Sequence, residues 1–140
     1  MPRINPARAL AAAAIALTVL STIPATLGCQ GTTRAGTRYT LNPGRATQAF
    51  VPASVNDAHS AARRSLENLQ YRIIEDNVDA TQGILKAKTA RNEDITVFID
   101  QDSPSFSKVT ILLGLPGIGD EDRQLMILNN IESELGINPR

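Results

Sequence analysis

The chain has no tryptophan, one cysteine and one histidine among its 140 residues. A lone cysteine excludes an internal disulfide and a cysteine-based zinc site. No HExxH helix is present, and no serine stands in a Gly-x-Ser-x-Gly elbow. Neither charge sign dominates, with 14 basic and 14 acidic residues. The basic residues form no concentrated face of the kind that binds nucleic acid, so no nucleic-acid partner is expected. The longest apolar run, Ala9–Leu20, falls short of the roughly 20 residues needed to span a bilayer.

The glycine-rich stretch GLPGIGDEDR, Gly114–Arg123, invites a nucleotide-binding reading. A P-loop needs a lysine after its last glycine. Here Asp120, Glu121 and Asp122 follow instead. Three carboxylates in a first helical turn satisfy the positive helix end themselves and repel an anion. The spacing also lacks the alternating aspartates of a calcium loop. The stretch therefore reads as a tight connection between a strand and the last helix, with no cofactor and no metal expected.

What is present begins with the leader. Arg3 and Arg8 make a positive start, Ala9–Leu20 an apolar centre, and small residues lead to Gly28-Cys29. That order is an export signal over residues 1–28. Without those two arginines the remainder carries 12 basic and 14 acidic residues, a net charge of about −2. TLGC resembles the lipobox of bacterial lipoproteins, with the leucine one place off its usual position. The resemblance implies cleavage after Gly28, diacylation of the Cys29 sulfur and a membrane partner reached through that lipid. Each buried acyl methylene contributes about 0.8 kcal/mol, so two chains anchor where one does not. Gln30 rather than aspartate follows the cysteine. Lipoprotein sorting then favours the outer membrane, with the protein facing the periplasm.

Residues 29–45 are rich in Gly, Thr and Arg and read as a flexible membrane tether. Pro43-Gly44 is a turn signal, and RYTL and ATQAFV flank it as a possible hairpin. The folded domain is expected over 46–136, with 137–140 as a tail. ATQAFV is the first strand. Ser54 and Asp57 form a capping box, and Val55, Ala58, Ala62, Leu66 and Leu69 give a helical stripe. Four strands follow at YRIIED, GILKAKT, ITVFID and FSKVTILL, joined by short turns that favour antiparallel pairing. The last helix carries Leu125, Leu128, Ile131 and Leu135, with Gly136 at its end. The order β-α-β-β-β-β-α predicts an α+β two-layer sandwich: an antiparallel meander with both helices on one face.

Both stripes are predicted to cover Tyr71, Ile73, Leu85, Ala87, Val97, Ile99, Val109 and Ile111. The other face then carries Ile84, Phe98 and Leu112 with Lys86 and Lys88, a candidate contact surface for an envelope protein. Ile74, Phe106, Lys108 and Thr110 belong to the same face. His59 flanks the first helix with no identifiable partner, and no catalytic residue is assigned.

The run from AFVPASVNDAHSAARRSLENLQYRI through GILKAK and ITVFID to VTILLGLPGIGDEDRQLMILNNIESEL resembles a domain-of-unknown-function family of small bacterial lipoproteins. That family shows a helix ending in Leu-Gly-Tyr, a glycine-led strand, a V-x-I strand and Ile-x-x-Gly-x-x-Gly-Asp before the last helix. Gly114, Gly117 and Asp120 match the last piece, with Gly119 as an extra residue. Gln70 replaces the glycine in Leu69-Gln70-Tyr71. The element order is also similar to helix-grip domains of outer-membrane assembly lipoproteins, an analogy of fold alone. The expected role is a non-catalytic, lipid-anchored envelope protein. The alternatives are a binder of a small apolar ligand such as a lipid, held between the last helix and the sheet, and a hydrolase using Asp120–Asp122.

Overall fold

A computed structural model describes residues 28–42, 46–114 and 121–138. Nine elements follow in chain order. They are β1 (Cys29–Thr32), β2 (Arg38–Leu41), β3 (Thr47–Val51), α1 (Val55–Asn68), β4 (Arg72–Val78), β5 (Gln82–Lys88), β6 (Asp94–Ser103), β7 (Phe106–Leu113) and α2 (Glu121–Glu134). The strands form one sheet in the order β1-β2-β3-β7-β6-β5-β4, antiparallel throughout. Two meanders thus meet where β3 pairs with β7. The expected α+β sandwich is observed, with two further strands ahead of it.

Those two strands correct the tether reading. Cys29–Thr32 and Arg38–Leu41 pair as a hairpin, and Arg38–Leu41 continues onto β3. The short hairpin between RYTL and the first strand is therefore real. Its tip, with Pro43 and Gly44, lies outside the described residues. The Gly/Thr composition that suggested a spacer is made rigid by one cross-strand pair. Gly31 lies opposite Tyr39, and a Cβ on Gly31 would fall 2.4 Å from the ring. The tyrosine covers the glycine, supplying the side-chain packing the strand itself lacks.

Local chemistry explains both helices. The Ser54 Oγ accepts from the Asp57 backbone N–H at 3.2 Å and donates to the Asp57 carboxylate at 2.7 Å. The expected Ser54 cap is made, but the Asp57 carboxylate returns to the Ser54 hydroxyl rather than to its backbone N–H, so only half of the capping box forms. At the other end of α1, Gln70 N–H donates to the Glu67 carbonyl and Tyr71 N–H to that of Leu66. That is a Schellman termination with Gln70 in the left-handed region at φ 59°. The end of α2 repeats it with Gly136 at φ 75°, Ile137 N–H reaching the Glu132 carbonyl.

Both helices cover one face. α1 lies over β4 to β7, and α2 over β3 and β7. Leu85, Ala87, Val97, Ile99, Val109 and Ile111 are fully buried there, as expected, and Tyr71 and Ile73 partly. Leu66, Ile127, Leu128 and Ile131 fill the interlayer. Each such side chain contributes about 1.5–3 kcal/mol of burial. Ala58, Ala61, Ala62 and Ser65 are the small buried residues of α1, and Ser65 Oγ donates to the Ile127 carbonyl at 3.3 Å. On α2 the buried stripe is Gln124, Ile127, Leu128 and Ile131, with Glu132 beside it. Leu125 is only half-buried. The stripe is rotated from the expected one because the β1–β2 hairpin covers part of the helix flank.

Candidate functional site

The expected lipidation position comes first. Cys29 is free and exposed at the first residue of β1, an edge strand of the sheet. Gly28 before it approaches the hairpin closely: a Cβ there would lie 2.7 Å from Thr40 Cγ2. The cysteine is exposed, and it is itself the first residue of a paired strand. Residues 1–27, the rest of the expected signal, lie outside the described residues.

The second place is the open sheet face. Register puts Asn77, Ile84, Phe98, Thr110, Gln48 and Thr40 in one row across six strands. Glu75, Lys86, Thr96 and Leu112 form the next row. Neither helix lies on this side. Phe98, Phe106, Phe50 and Ile74 are all exposed. The expected contact residues Ile84, Phe98, Leu112, Lys86 and Lys88 do share one face.

Its electrostatics differ from a basic patch. Lys86 pairs with Glu75 at 2.6 Å, Lys88 with Asp94 at 2.9 Å and Lys108 with Asp100 at 3.3 Å. Each pair joins residues directly opposite on neighbouring strands. The hydrogen bond from Lys86 holds the Glu75 carboxyl below the ordinary glutamate range. The three lysines are therefore neutralised by their cross-strand partners, and what remains to recognise is apolar and aromatic, with the exposed Arg72 opposite Lys88 at the sheet edge.

The histidine has a partner the sequence did not reveal. β4 carries a register shift between Ile73 and Glu75. The extra residue, Ile74, turns the following side chains over, so Asp76 lies on the helix side opposite Leu85. His59 is buried rather than flanking. Its Nε2 lies 3.0 Å from Asp76 Oδ1, and Arg63 Nη1 lies 3.3 Å from Asp76 Oδ2. Gly83 makes room: a Cβ there would stand 3.0 Å from the imidazole Cδ2. Among the described residues no serine, threonine or cysteine hydrogen-bonds to this group, and the His59 Nε2 has no aligned hydrogen bond. The arrangement clamps α1 to an edge strand.

The third place lies between the hairpin and α2. The Thr33 hydroxyl donates to Glu132 Oε1 at 3.0 Å, and the Arg34 N–H donates to Asn129 Oδ1 at 3.2 Å. Thr33 and Glu132 are both buried. Beside them runs a groove of about 640 Å³. Near the start of α2, burial pushes the Tyr39 phenol up, helped by the Glu121 and Asp122 carboxylates.

The glycine loop is visible only at its start. Gly114 leaves β7 at φ 65°, a conformation that suits glycine. Gly117, Gly119 and Asp120, with the cap expected there, lie outside the described residues. Glu121 and Asp122 occupy the first turn of α2. Among the described residues no cluster of His, Cys, Asp and Glu is placed to hold a metal ion.

A seven-stranded antiparallel sheet with two helices on one face, and no helix on the other among the described residues, defines an open α+β sandwich. The chain belongs to the family described as "Protein of unknown function (DUF3568)", whose model matches residues 7–134. The matched range takes in most of the expected leader, Cys29, the hairpin and both helices. No curated protein matches the chain.

Proposed function

We propose that the protein is a non-catalytic, lipid-anchored component of a bacterial cell envelope. Residues 1–28 direct export, Cys29 carries the acyl chains, and the sandwich faces the periplasm, favouring the outer membrane. The observation that carries this reading is the position of the sole cysteine. It follows an apolar leader, is exposed, and opens an edge strand. A sulfur buried in the core would have opposed it. Because Cys29 is itself part of a paired strand, acyl chains on its sulfur would hold the hairpin close to the bilayer.

The bare sheet face is the surface offered to an envelope protein partner. Its lysines are already paired, so the partner presents an apolar strip with few acidic groups. Phe98 and Ile84 are directly opposite on β6 and β5 and form the centre of that surface.

Cell fractionation tests the anchor. The wild-type chain is expected in the membrane pellet, resistant to high salt and released by detergent. Cys29→Ser is expected in the soluble fraction or retained with its leader uncleaved. Wild-type protein that leaves the membrane with salt alone contradicts the reading.

A further inference from the structure

We propose that the groove between the β1–β2 hairpin and α2 binds a small molecule carrying one protonated amine on a short apolar stem. Glu132 is only 1% exposed and lines the groove. Its Oε1 accepts from Thr33, while among the described residues its Oε2 meets no hydrogen-bond donor. A buried carboxylate oxygen left unpartnered is costly, and an ammonium group is the partner that removes most of that cost. Asn130 turns its Nδ2 onto the Met126 carbonyl at 2.9 Å, which leaves Oδ1 as an acceptor. Asp122 adds a second carboxylate to the wall.

The donor set selects the ligand. An ammonium brings three donors and no acceptor, matching a carboxylate and an amide oxygen. Among the described residues no three His, Cys, Asp or Glu side chains come together to hold a metal ion, so the wall suits an organic cation better than a bare divalent one. Met126 and Ile137 give the stem an apolar side. Arg34 borders the same groove, and its charge disfavours a polyamine relative to a monoamine. The site does not depend on lipid attachment at Cys29, so the two readings fail separately.

Amide spectra of the isotope-labelled full chain in dodecyl maltoside micelles test it. Butylammonium is the probe and 1-butanol its neutral counterpart. Saturable shifts at Thr33, Asn129 and Glu132 with butylammonium, and none with butanol, are expected. Glu132→Gln keeps an acceptor for Thr33 and removes the charge, so it should bind butylammonium about tenfold more weakly or worse. The side-chain carboxyl carbon of Glu132 in the wild-type chain should also move on addition, a readout needing no variant. Equal shifts with butanol, no saturable shift with butylammonium, or an unmoved Glu132 carboxyl would each overturn the proposal.

Discussion

The β1–β2 hairpin and the β3–α1–β4–β7 body belong to one sheet, yet different forces hold them. The body buries Leu66, Leu85, Val97, Ile99, Ile111 and Ile131 completely. Its strands alternate apolar and polar, and its helices cover one face. The hairpin has no fully buried aliphatic residue. It is held by backbone pairing, by Tyr39 lying over Gly31, and by the Thr33 and Arg34 bonds to α2. The body is held by area, which resists change in proportion to volume. The hairpin is held by a few directional contacts, which fail one at a time. Cys29, the proposed anchor residue, sits on the part that is easier to loosen.

The largest expected effect is in the body. Leu66→Asp or Ile131→Asp places a charge in the interlayer and should abolish cooperative unfolding, a loss of more than about 3 kcal/mol. A normal thermal melt for either variant would mean the two layers are not the stability core. In the hairpin, Gly31→Val puts methyls where the Tyr39 ring now lies. Amide exchange in β1 and β2 should speed at least about tenfold, while β5, β6 and β7 stay protected. Uniform loss of protection across the sheet would erase the distinction between the two regions.

Phe98→Glu tests the bare face. A surface change away from such features costs within about 0.5 kcal/mol. The variant should fold while losing its crosslinks to an envelope protein. Unfolding would show Phe98 to be core. The smallest effect is a gain. Gln70 occupies a left-handed C-cap position at φ 59°. Glycine adopts it freely, so Gln70→Gly should stabilise by about 0.5–1 kcal/mol, read from the denaturant midpoint. A lower midpoint would mean that tertiary contacts of the Gln70 side chain outweigh the backbone strain.

The body was legible because its residues announce their surroundings locally. Alternation at Leu85-Lys86-Ala87 and Val97-Phe98-Ile99 separates the two faces, and Ser54 with Asp57 marks the start of α1. The hairpin was not legible as an ordered pair of strands down to Cys29. Gly31, Thr32 and Thr33 carry no apolar signal, and their stabilising partner, Glu132, lies 99 positions away. The His59–Asp76 contact was hidden for another reason. A single bulged residue at Ile74 reverses which side Asp76 faces, and strict alternation does not show a bulge. The burial of Glu132 was equally silent, since a glutamate at that spacing reads as solvated until the hairpin covers it.

The proposed attachment through Cys29 would tie these regions to a membrane, and the mass of the membrane-extracted protein tests it most directly. The N-terminal peptide should begin at Cys29 and carry the added mass of at least two fatty acyl chains, with residues 1–28 gone. A peptide beginning elsewhere, or an unmodified Cys29 thiol in protein taken from the membrane, would contradict the account.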